Sequence, residues 1–173
     1  MKPTASRPHM PGYGIADAKS GRGLLTWNWA VERFEKGRTY WIATVRSDGA
    51  RTTQPHVMPV WGVWFDGAFF FSTGNESRKA RNLKRNSRCS IATEIDFTRR
   101  PKKGDIKDSL ILEGAAELVN DSRTLKKFSK LYQDKYDWDM EGFSEPIYRV
   151  RPNVVFGLTS NFNQTATRWT FYE

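Results

Sequence analysis

The stretch YWIATVRSDGARTTQPHVMPVWGVWFDGAFFFSTGNESRKARNLKRNSRCSIATEI, residues 40–95, decides the fold. Its first six residues are apolar at five positions, which suits a strand buried on both faces or lining a barrel. Ser47-Asp48-Gly49 is a turn signal. The extended run over residues 52–65 is too long for one flat strand. Pro55 and Pro59 each remove a ladder donor, which predicts an edge, a bulge or a bend near His56-Val57-Met58. Asp66-Gly67 between apolar runs is a hairpin signal, because both residues tolerate positive φ. A third strand over 68–73, a short basic helix over 76–85 and a fourth strand over 89–95 complete the stretch.

The chemistry starts at Thr73-Gly74-Asn75-Glu76-Ser77-Arg78-Lys79. Two cations fall in the first turn of a helix, where the macrodipole disfavours them. An anion held there removes the conflict. Free backbone N–H groups, the Ser77 hydroxyl and the Arg78 and Lys79 side chains read together as a phosphate cradle. The plainer reading of Arg78 and Lys79 is a solvated helix face, and their position against the dipole argues against it. Residues 78–107 carry eleven Lys/Arg against three Asp/Glu, so the positive charge of the chain is concentrated here.

Before this stretch, residues 1–23 are rich in Pro, Gly and small polar residues. They read as an arm with little regular structure, either a disordered tail or a segment draped over a partner subunit with Tyr13 and Ile15 as anchors. Residues 24–36 read as a helix, with Thr26 as N-cap and Gly37 as its stop. Leu24, Trp27, Val31 and Phe34 form its apolar stripe, and Glu32, Arg33, Glu35 and Lys36 are expected to face water. After the stretch comes a charged loop, 97–108, with Arg99, Arg100, Lys102 and Lys103. A strand over 109–119 has Gly114 at a candidate bulge. Asp121 caps an amphipathic helix over 121–136, with Leu125, Phe128, Leu131 and Tyr132 as its stripe. Strands over 147–150 and 153–158 are interrupted by Pro152, and 166–172 is a closing strand. About six to eight strands on short turns, with three helices, predict a closed antiparallel barrel decorated by helices over residues 24–173.

At 173 residues, with 14 % aromatics and seven Trp, the chain has the means for one real core. Its net charge of +9 points to an acidic partner: nucleic acid, a membrane surface or an anionic small molecule. A single cysteine excludes an internal disulfide framework and a cysteine-based zinc site. No apolar run approaches the roughly 20 residues of a membrane span, and the first residues lack a signal-peptide core, so a cytoplasmic location is expected. The two histidines are His9, in the arm, and His56. Without HExxH, CxxC or GxSxG spacing, His56 reads as a polar residue on a bent strand. Cys89 reads as a buried inert thiol. With no complete catalytic set of side chains, either the protein binds without turnover or a cofactor carries the reaction.

The order of these pieces resembles the pyridoxamine 5′-phosphate oxidase-like, or flavin/deazaflavin oxidoreductase, superfamily. The resemblance rests on Ala43-Thr44-Val45 before Asp48-Gly49, on Pro55-His56-Val57-Met58-Pro59-Val60-Trp61, and on Phe71-Ser72-Thr73-Gly74 leading into Ser77-Arg78-Lys79-Ala80-Arg81-Asn82-Leu83. Glu113-Gly114 and the closing Thr167-Arg168-Trp169 also fit. It implies a mainly β fold, an antiparallel split β-barrel of Greek-key type with about three flanking helices. It implies a homodimer with two cofactor sites at the interface. The cofactor phosphate would lie at Ser77, Arg78 and Lys79, and the ring along Val57, Met58, Pro59, Val60 and Trp61. The partner would contribute Arg168 and Trp169. The Arg-Leu-x-Pro substrate motif of the vitamin B6 oxidases is replaced here by Arg168-Trp169-Thr170-Phe171. FMN or the deazaflavin coenzyme F-420 therefore fits better than vitamin B6 oxidation. The glutamate tail of F-420 would suit the basic loop.

The leading expectation is a cytoplasmic oxidoreductase that uses FMN or F-420 on a small organic substrate, with no residue of its own as catalyst. A flavin or haem carrier without turnover is the alternative. A nucleic-acid-binding β-barrel using Trp61 and Trp64 is the third reading, and it lacks the interleaving of aromatic and basic residues that such surfaces need.

Overall fold

The structure, a computed structural model, describes residues 2–15, 22–46, 54–95 and 108–171. The Ser47-Asp48-Gly49 turn, the start of the second extended run and the basic loop with Arg99, Arg100, Lys102 and Lys103 lie outside the described residues.

Nine strands and four helices occur among the described residues. In chain order they are β1 (Thr4–Ser6), α1 (Trp27–Lys36), β2 (Tyr40–Val45), β3 (Pro55–Val60), β4 (Gly62–Phe65) and β5 (Ala68–Ser72). Then come α2 (Arg78–Arg85), β6 (Arg88–Ile95), β7 (Asp108–Leu118), α3 (Ser122–Tyr136), β8 (Ile147–Leu158), α4 (Phe162–Thr165) and β9 (Thr167–Thr170). The ladder runs β1-β9-β8-β7-β6-β2-β3, with β5 on β8 and β4 on β5, and every pairing is antiparallel.

One long strand divides this sheet. β7 follows nearly the whole of one edge of β8. On the opposite edge, residues 147–150 pair with β5 and residues 154–157 pair with β9. Between the two halves sits a bulge: Glu113 pairs with Val154, but Gly114 pairs with Pro152, leaving Asn153 over. A Cβ on Gly114 would lie 2.2 Å from the Arg151 carbonyl oxygen, so only glycine fits there. The expected bulge is present, and the two expected strands around Pro152 are one strand bent at it.

The sheet is a split β-barrel and is not closed, which corrects the expectation of a closed barrel. β3 ends at Val60 with only β2 beside it, and β4 starts at Gly62 with β5 beside it. The two ends of the ladder are therefore joined by the chain itself at Trp61. β3 runs unbroken through His56-Val57-Met58, so the break lies at Trp61 rather than at the expected bend. Pro55 and Pro59 sit on the last strand of the path, where a missing donor is tolerated.

Two cores follow from strands that are buried on both faces. Phe69 and Phe71 point into the barrel with Tyr40, Ile42, Trp64, Ile91, Leu112 and Trp169. Val63, Phe65 and Phe70 point the other way, under Phe128, Tyr132 and Tyr136 of α3. Each buried aromatic is worth about 1.5–3 kcal/mol. Helix α1 plugs one end of the barrel: Phe34 stacks on Trp64 at 4.5 Å, and Trp27 meets Trp64, Trp169 and Phe171 edge-on. Thr26 caps α1 as expected, accepting from Trp29 N–H. Arg33 departs from expectation. It is buried rather than water-facing, because its guanidinium lies 3.8 Å above the Trp29 ring and pairs with Asp108 at 2.5 Å.

The N-terminal arm is partly ordered on its own chain. Thr4–Ser6 extends the sheet beside β9, and Tyr13 meets Phe162 edge-on. No helix among the described residues is long and apolar enough to cross a membrane.

The break at Trp61 is held by α3. The Tyr136 hydroxyl accepts from Gly62 N–H at 2.9 Å and lies 2.8 Å from the Arg38 carbonyl, to which it donates. Lys135 Nζ donates to the Gly62 carbonyl at 3.1 Å and to the Tyr40 hydroxyl at 2.9 Å. Burial, then the charge of Arg38, push the Lys135 amine down to about 8, against a smaller opposing effect of Glu35. Burial pushes the Tyr136 hydroxyl up to about 12 and the Tyr40 hydroxyl further.

These shifts predict a pH profile. From about pH 8 to its ordinary value of 10.5, Lys135 is protonated in the unfolded chain and neutral in the folded one, so stability rises with pH. Above about pH 10 the unfolded tyrosines ionise while the folded ones do not, and stability falls. Urea unfolding across this range should show the rise in the native protein. In Lys135→Met the rise should vanish and the fall remain.

Helix α2 is fixed to the barrel by one buried polar bond, from Asn82 Nδ2 to Thr44 Oγ1 at 2.9 Å. Thr44→Val leaves the buried Asn82 amide without its acceptor. A loss of about 1–3 kcal/mol in urea unfolding is expected, with faster amide exchange along α2. No change in either measurement would show that α2 is held elsewhere.

Candidate functional site

Helix α2 starts one residue after Ser77, its N-cap, whose hydroxyl accepts from Ala80 N–H at 3.1 Å. The same hydroxyl lies 3.1 Å from Thr73 Oγ1, and Ser77 N–H donates to the Gly74 carbonyl at 2.9 Å. This turn delivers Arg78 and Lys79 as the first two helical residues, whose amides have no intrahelical acceptor. The approach is partly occupied: Glu145 Oε2 accepts from Asn75 N–H at 2.8 Å. An anion site is thus confined to the Arg78 and Lys79 amides and side chains.

The electrostatics of this corner are one-sided. Neither Arg78 nor Lys79 makes an ion pair with a carboxylate among the described residues. Burial pushes the Lys79 amine down. Burial and the nearby charges of Arg78 and Lys79 push the His56 imidazole down as well. From Arg78 a cleft of about 450 Å³ continues past Arg81, Asn82, Lys84 and Arg85 to Arg46, with no carboxylate lining it among the described residues.

The register of β3 on β2 sorts the expected ring residues onto different surfaces. Val57 pairs with Ala43 and Pro59 with Trp41, on the outer face. His56 pairs with Thr44, Met58 with Ile42 and Val60 with Tyr40, on the inner face where α2 is docked. Val60 is buried in the core, whereas Val57, Met58 and Trp61 are each more than 40 % exposed. The Trp61 ring lies flat on Tyr136, 4.8 Å away at 4°, with Trp138 edge-on at 5.8 Å. Met58, His56, Ser77, Arg78 and Lys79 therefore form one group, and Trp61 stands at the break beyond it.

Arg168 and Trp169 are not in that group. β9 is separated from β3 by β8, β7, β6 and β2. Strand alternation turns Arg168 outward and Trp169 inward, where Trp169 is 1 % exposed and stacked on Trp29. In this chain the Trp169 side chain belongs to the barrel core, away in the sheet from Ser77, Arg78 and Lys79. Of Trp61 and Trp64, the aromatics a nucleic-acid surface would use, Trp61 is exposed and Trp64 is buried at 8 %.

Sequence reasoning passed over His56, read there as a plain strand residue, and over Arg46, Tyr136 and the Asn82–Thr44 bond. For His56 the usable signal was its spacing of two from Met58, which puts both on one face of a strand. The other three depend on contacts between distant segments. The described residues hold no group of His, Cys, Asp and Glu suited to a metal ion. Cys89 is buried and its thiol is pushed up to about 12 by that burial, so it is inert at neutral pH. What remains is a cationic corner beside an apolar strand and an exposed indole.

Known proteins carry the same architecture. A conserved hypothetical protein of Mycobacterium tuberculosis aligns over 81 % of this chain and 88 % of its own, at 22 % identity and a TM-score of 0.66. A FAD-binding protein of Mesorhizobium loti aligns over 85 % and 96 %, at 16 % identity and a TM-score of 0.56. A haem storage protein of Vibrio cholerae aligns over 72 % and 86 %, at 21 % identity and a TM-score of 0.56. At these identities the likeness shows the fold. No curated protein matches the chain. The family described as pyridoxamine 5′-phosphate oxidase matches residues 29–158, from α1 to the end of β8, which takes in the divided sheet and the basic helix together. By that match, over well more than half of its length, the chain belongs to the pyridoxamine 5′-phosphate oxidase family.

Proposed function

We propose that the protein is a cytoplasmic flavin- or deazaflavin-dependent oxidoreductase that holds its cofactor phosphate at the start of α2. The observation that carries this reading is the position of Arg78 and Lys79 at the positive end of α2 with no carboxylate partner among the described residues. A phosphate supplies the missing negative charge and accepts from the two free amides. Ser77 already spends its acceptor capacity on the cap, so its role is to shape the turn and at most to donate its proton. Met58 and the exposed Trp61 offer apolar surface for a ring system, and Tyr136 keeps the indole in place. Pro59 has no N–H to offer the ring. FMN or F-420, when bound, supplies hydride or electron transfer to a small organic substrate.

The cleft beyond Arg78 supports F-420 as well as FMN. It adds Arg81 and Lys84, along a path suited to a tail of carboxylates. A second reading, a haem carrier without turnover, draws on His56: a depressed imidazole presents a neutral nitrogen to iron, with Arg78 and Lys79 near for propionates. A Soret band on haemin titration that is lost in His56→Ala, with no flavin binding, would favour the carrier.

A homodimer is part of the proposal. The outer face carries a continuous row from Pro59 through Trp41, Ala92, Ile111 and Phe156 to Arg168 across six strands. Trp41 is 50 % and Val57 51 % exposed on that face. An apolar sheet face of this kind suits a second copy, which could bring its own Arg168 toward the cofactor.

Replacing Arg78 and Lys79 together by Ala should weaken binding of FMN or F-420 by at least about 100-fold, since charge-assisted bonds to phosphate are worth roughly 1.5–3 kcal/mol each. Unchanged affinity in a fluorescence titration of the folded variant would remove the phosphate assignment. Raising the salt concentration should weaken F-420 binding more than FMN binding.

Light scattering should give twice the 20.0 kDa chain mass at micromolar concentration. Trp41→Glu, which places a charge in the middle of the outer face, should shift the particle to the monomer mass without unfolding it. A native protein of 20.0 kDa would contradict the dimer.

A further inference from the structure

Helices α1 and α3 cover opposite faces of β4, and the groove left between them is a cavity that the cofactor reading does not use. Phe34 of α1 stacks on Trp64, whereas Val63 lies under α3. The cavity measures about 330 Å³, a size suited to a small organic molecule. Val63, Trp64 and Leu131 give it an apolar lining, and Glu35, Asp134 and Lys135 stand around it. Leu131, Asp134 and Lys135 reach it together because residues three and four apart share one helix face.

The amine in this cavity is held in a way that suits a nucleophile. Lys135 Nζ lies 2.9 Å from the Tyr40 hydroxyl and 3.1 Å from the Gly62 carbonyl oxygen. Tyr40 directs its own hydrogen to the Phe34 or Gly37 carbonyl, so toward Lys135 it is an acceptor. Two acceptors use both hydrogens of a neutral amine and leave its lone pair without a donor. The ammonium form carries a third hydrogen, and no carboxylate pairs with Lys135 among the described residues. Burial is the main cause that lowers this amine to about 8; Arg38 adds to it and Glu35 opposes it more weakly. Asp134 lines the same cavity, and burial keeps the Tyr40 and Tyr136 hydroxyls neutral. Part of Lys135 is therefore unprotonated at pH 7, and a desolvated lysine beside an apolar lining is suited to attack on a carbonyl carbon.

We propose that Lys135 is a covalent modification site for small, uncharged aldehydes with an apolar body, which this cavity admits. The Nζ lone pair attacks the aldehyde carbon: the C–N bond forms, the carbonyl π pair moves to oxygen, and one amine hydrogen follows it to give a carbinolamine. A proton from solvent takes the hydroxyl off as water. The second amine hydrogen returns a proton to solvent, leaving the neutral imine that burial favours. The aldehyde's body lies against Val63, Trp64 and Leu131, and Glu35 and Asp134 repel anionic aldehydes. The cavity shares no residue with the α2 cleft or with the outer-face row given to the dimer, so the proposal stands apart from the cofactor reading.

Treating the full chain with benzaldehyde and sodium cyanoborohydride, then digesting it for mass spectrometry, tests this. At pH 7 Lys135 should take the benzyl group at least about tenfold faster than the mean of the other lysines. That lead should shrink toward pH 10, where exposed amines also become neutral. 4-Carboxybenzaldehyde should show little lead at Lys135. Leu131→Trp, which fills the cavity and leaves the amine and its charged neighbours alone, should abolish the lead with benzaldehyde. If that variant does not fold, the two aldehydes compared on the native protein carry the test. The Arg78→Ala, Lys79→Ala double variant should be labelled at Lys135 as the native protein is. Labelling of Lys135 no faster than the other lysines, a lead that does not change with pH, or an equal lead with 4-carboxybenzaldehyde would each overturn the proposal. So would an undiminished lead in folded Leu131→Trp. The cofactor titrations probe α2 and are decided separately.

Discussion

Strand β8 carries two neighbours on a single edge, and the rest of the architecture depends on that. A strand has only two hydrogen-bonding edges, and β7 takes one almost entirely. The other must be divided between β5 and β9, and the division falls at the Gly114 bulge, where Asn153 is skipped in the register with β7 and its carbonyl accepts from Phe171 N–H instead. Because β5 leaves the sheet there with β4, the path on the other side ends at β3. The barrel is then completed by a covalent step through Trp61, and that step needs its own fastening.

Helix α3 supplies it. Gly62 would have its N–H and C=O stranded at the break, and both are met by side chains from one turn of α3, Tyr136 and Lys135. A Cβ at Gly62 would lie 2.2 Å from the Phe69 ring, so the step is as tight as a backbone allows. The same Tyr136 that receives the Gly62 amide carries the Trp61 indole flat on its ring. The exposed aromatic nearest the candidate cofactor site is thus held by the same contacts that keep the barrel ends together. Burial lowers the Lys135 amine to about 8, as its desolvation among uncharged acceptors should, so it is neutral only above that pH.

Charge is arranged with the opposite logic. Where the fold needs cations for stability it pairs them: Arg33 with Asp108, and Arg149 and Arg151 with Glu117. At α2 it does not: Arg78 and Lys79 sit at the positive end of a helix with no carboxylate partner among the described residues.

Much of this was legible in the sequence wherever the deciding forces are local. Thr26, Ser77 and Asp121 cap their helices because each can reach an amide two or three residues on. Asp66 and Gly67 turn a hairpin with φ of 48° and 72°, conformations open to those residue types. Gly114 marked the bulge, and the run of Arg and Lys after Ser77 marked the cationic corner. What the sequence could not decide was which strand face meets which segment. Trp64 reads as a base-stacking aromatic until α1 covers it, and Arg33 reads as solvated until Asp108, 75 residues away, comes to pair with it. His56 becomes part of the candidate site only when α2, docked through Asn82 on Thr44, brings Arg78 and Lys79 beside it. Local conformation follows from neighbours a few bonds apart and so leaves a mark in composition and spacing. Edge sharing on β8 and the burial of a given face depend on contacts between segments a hundred residues apart, and no local pattern records them.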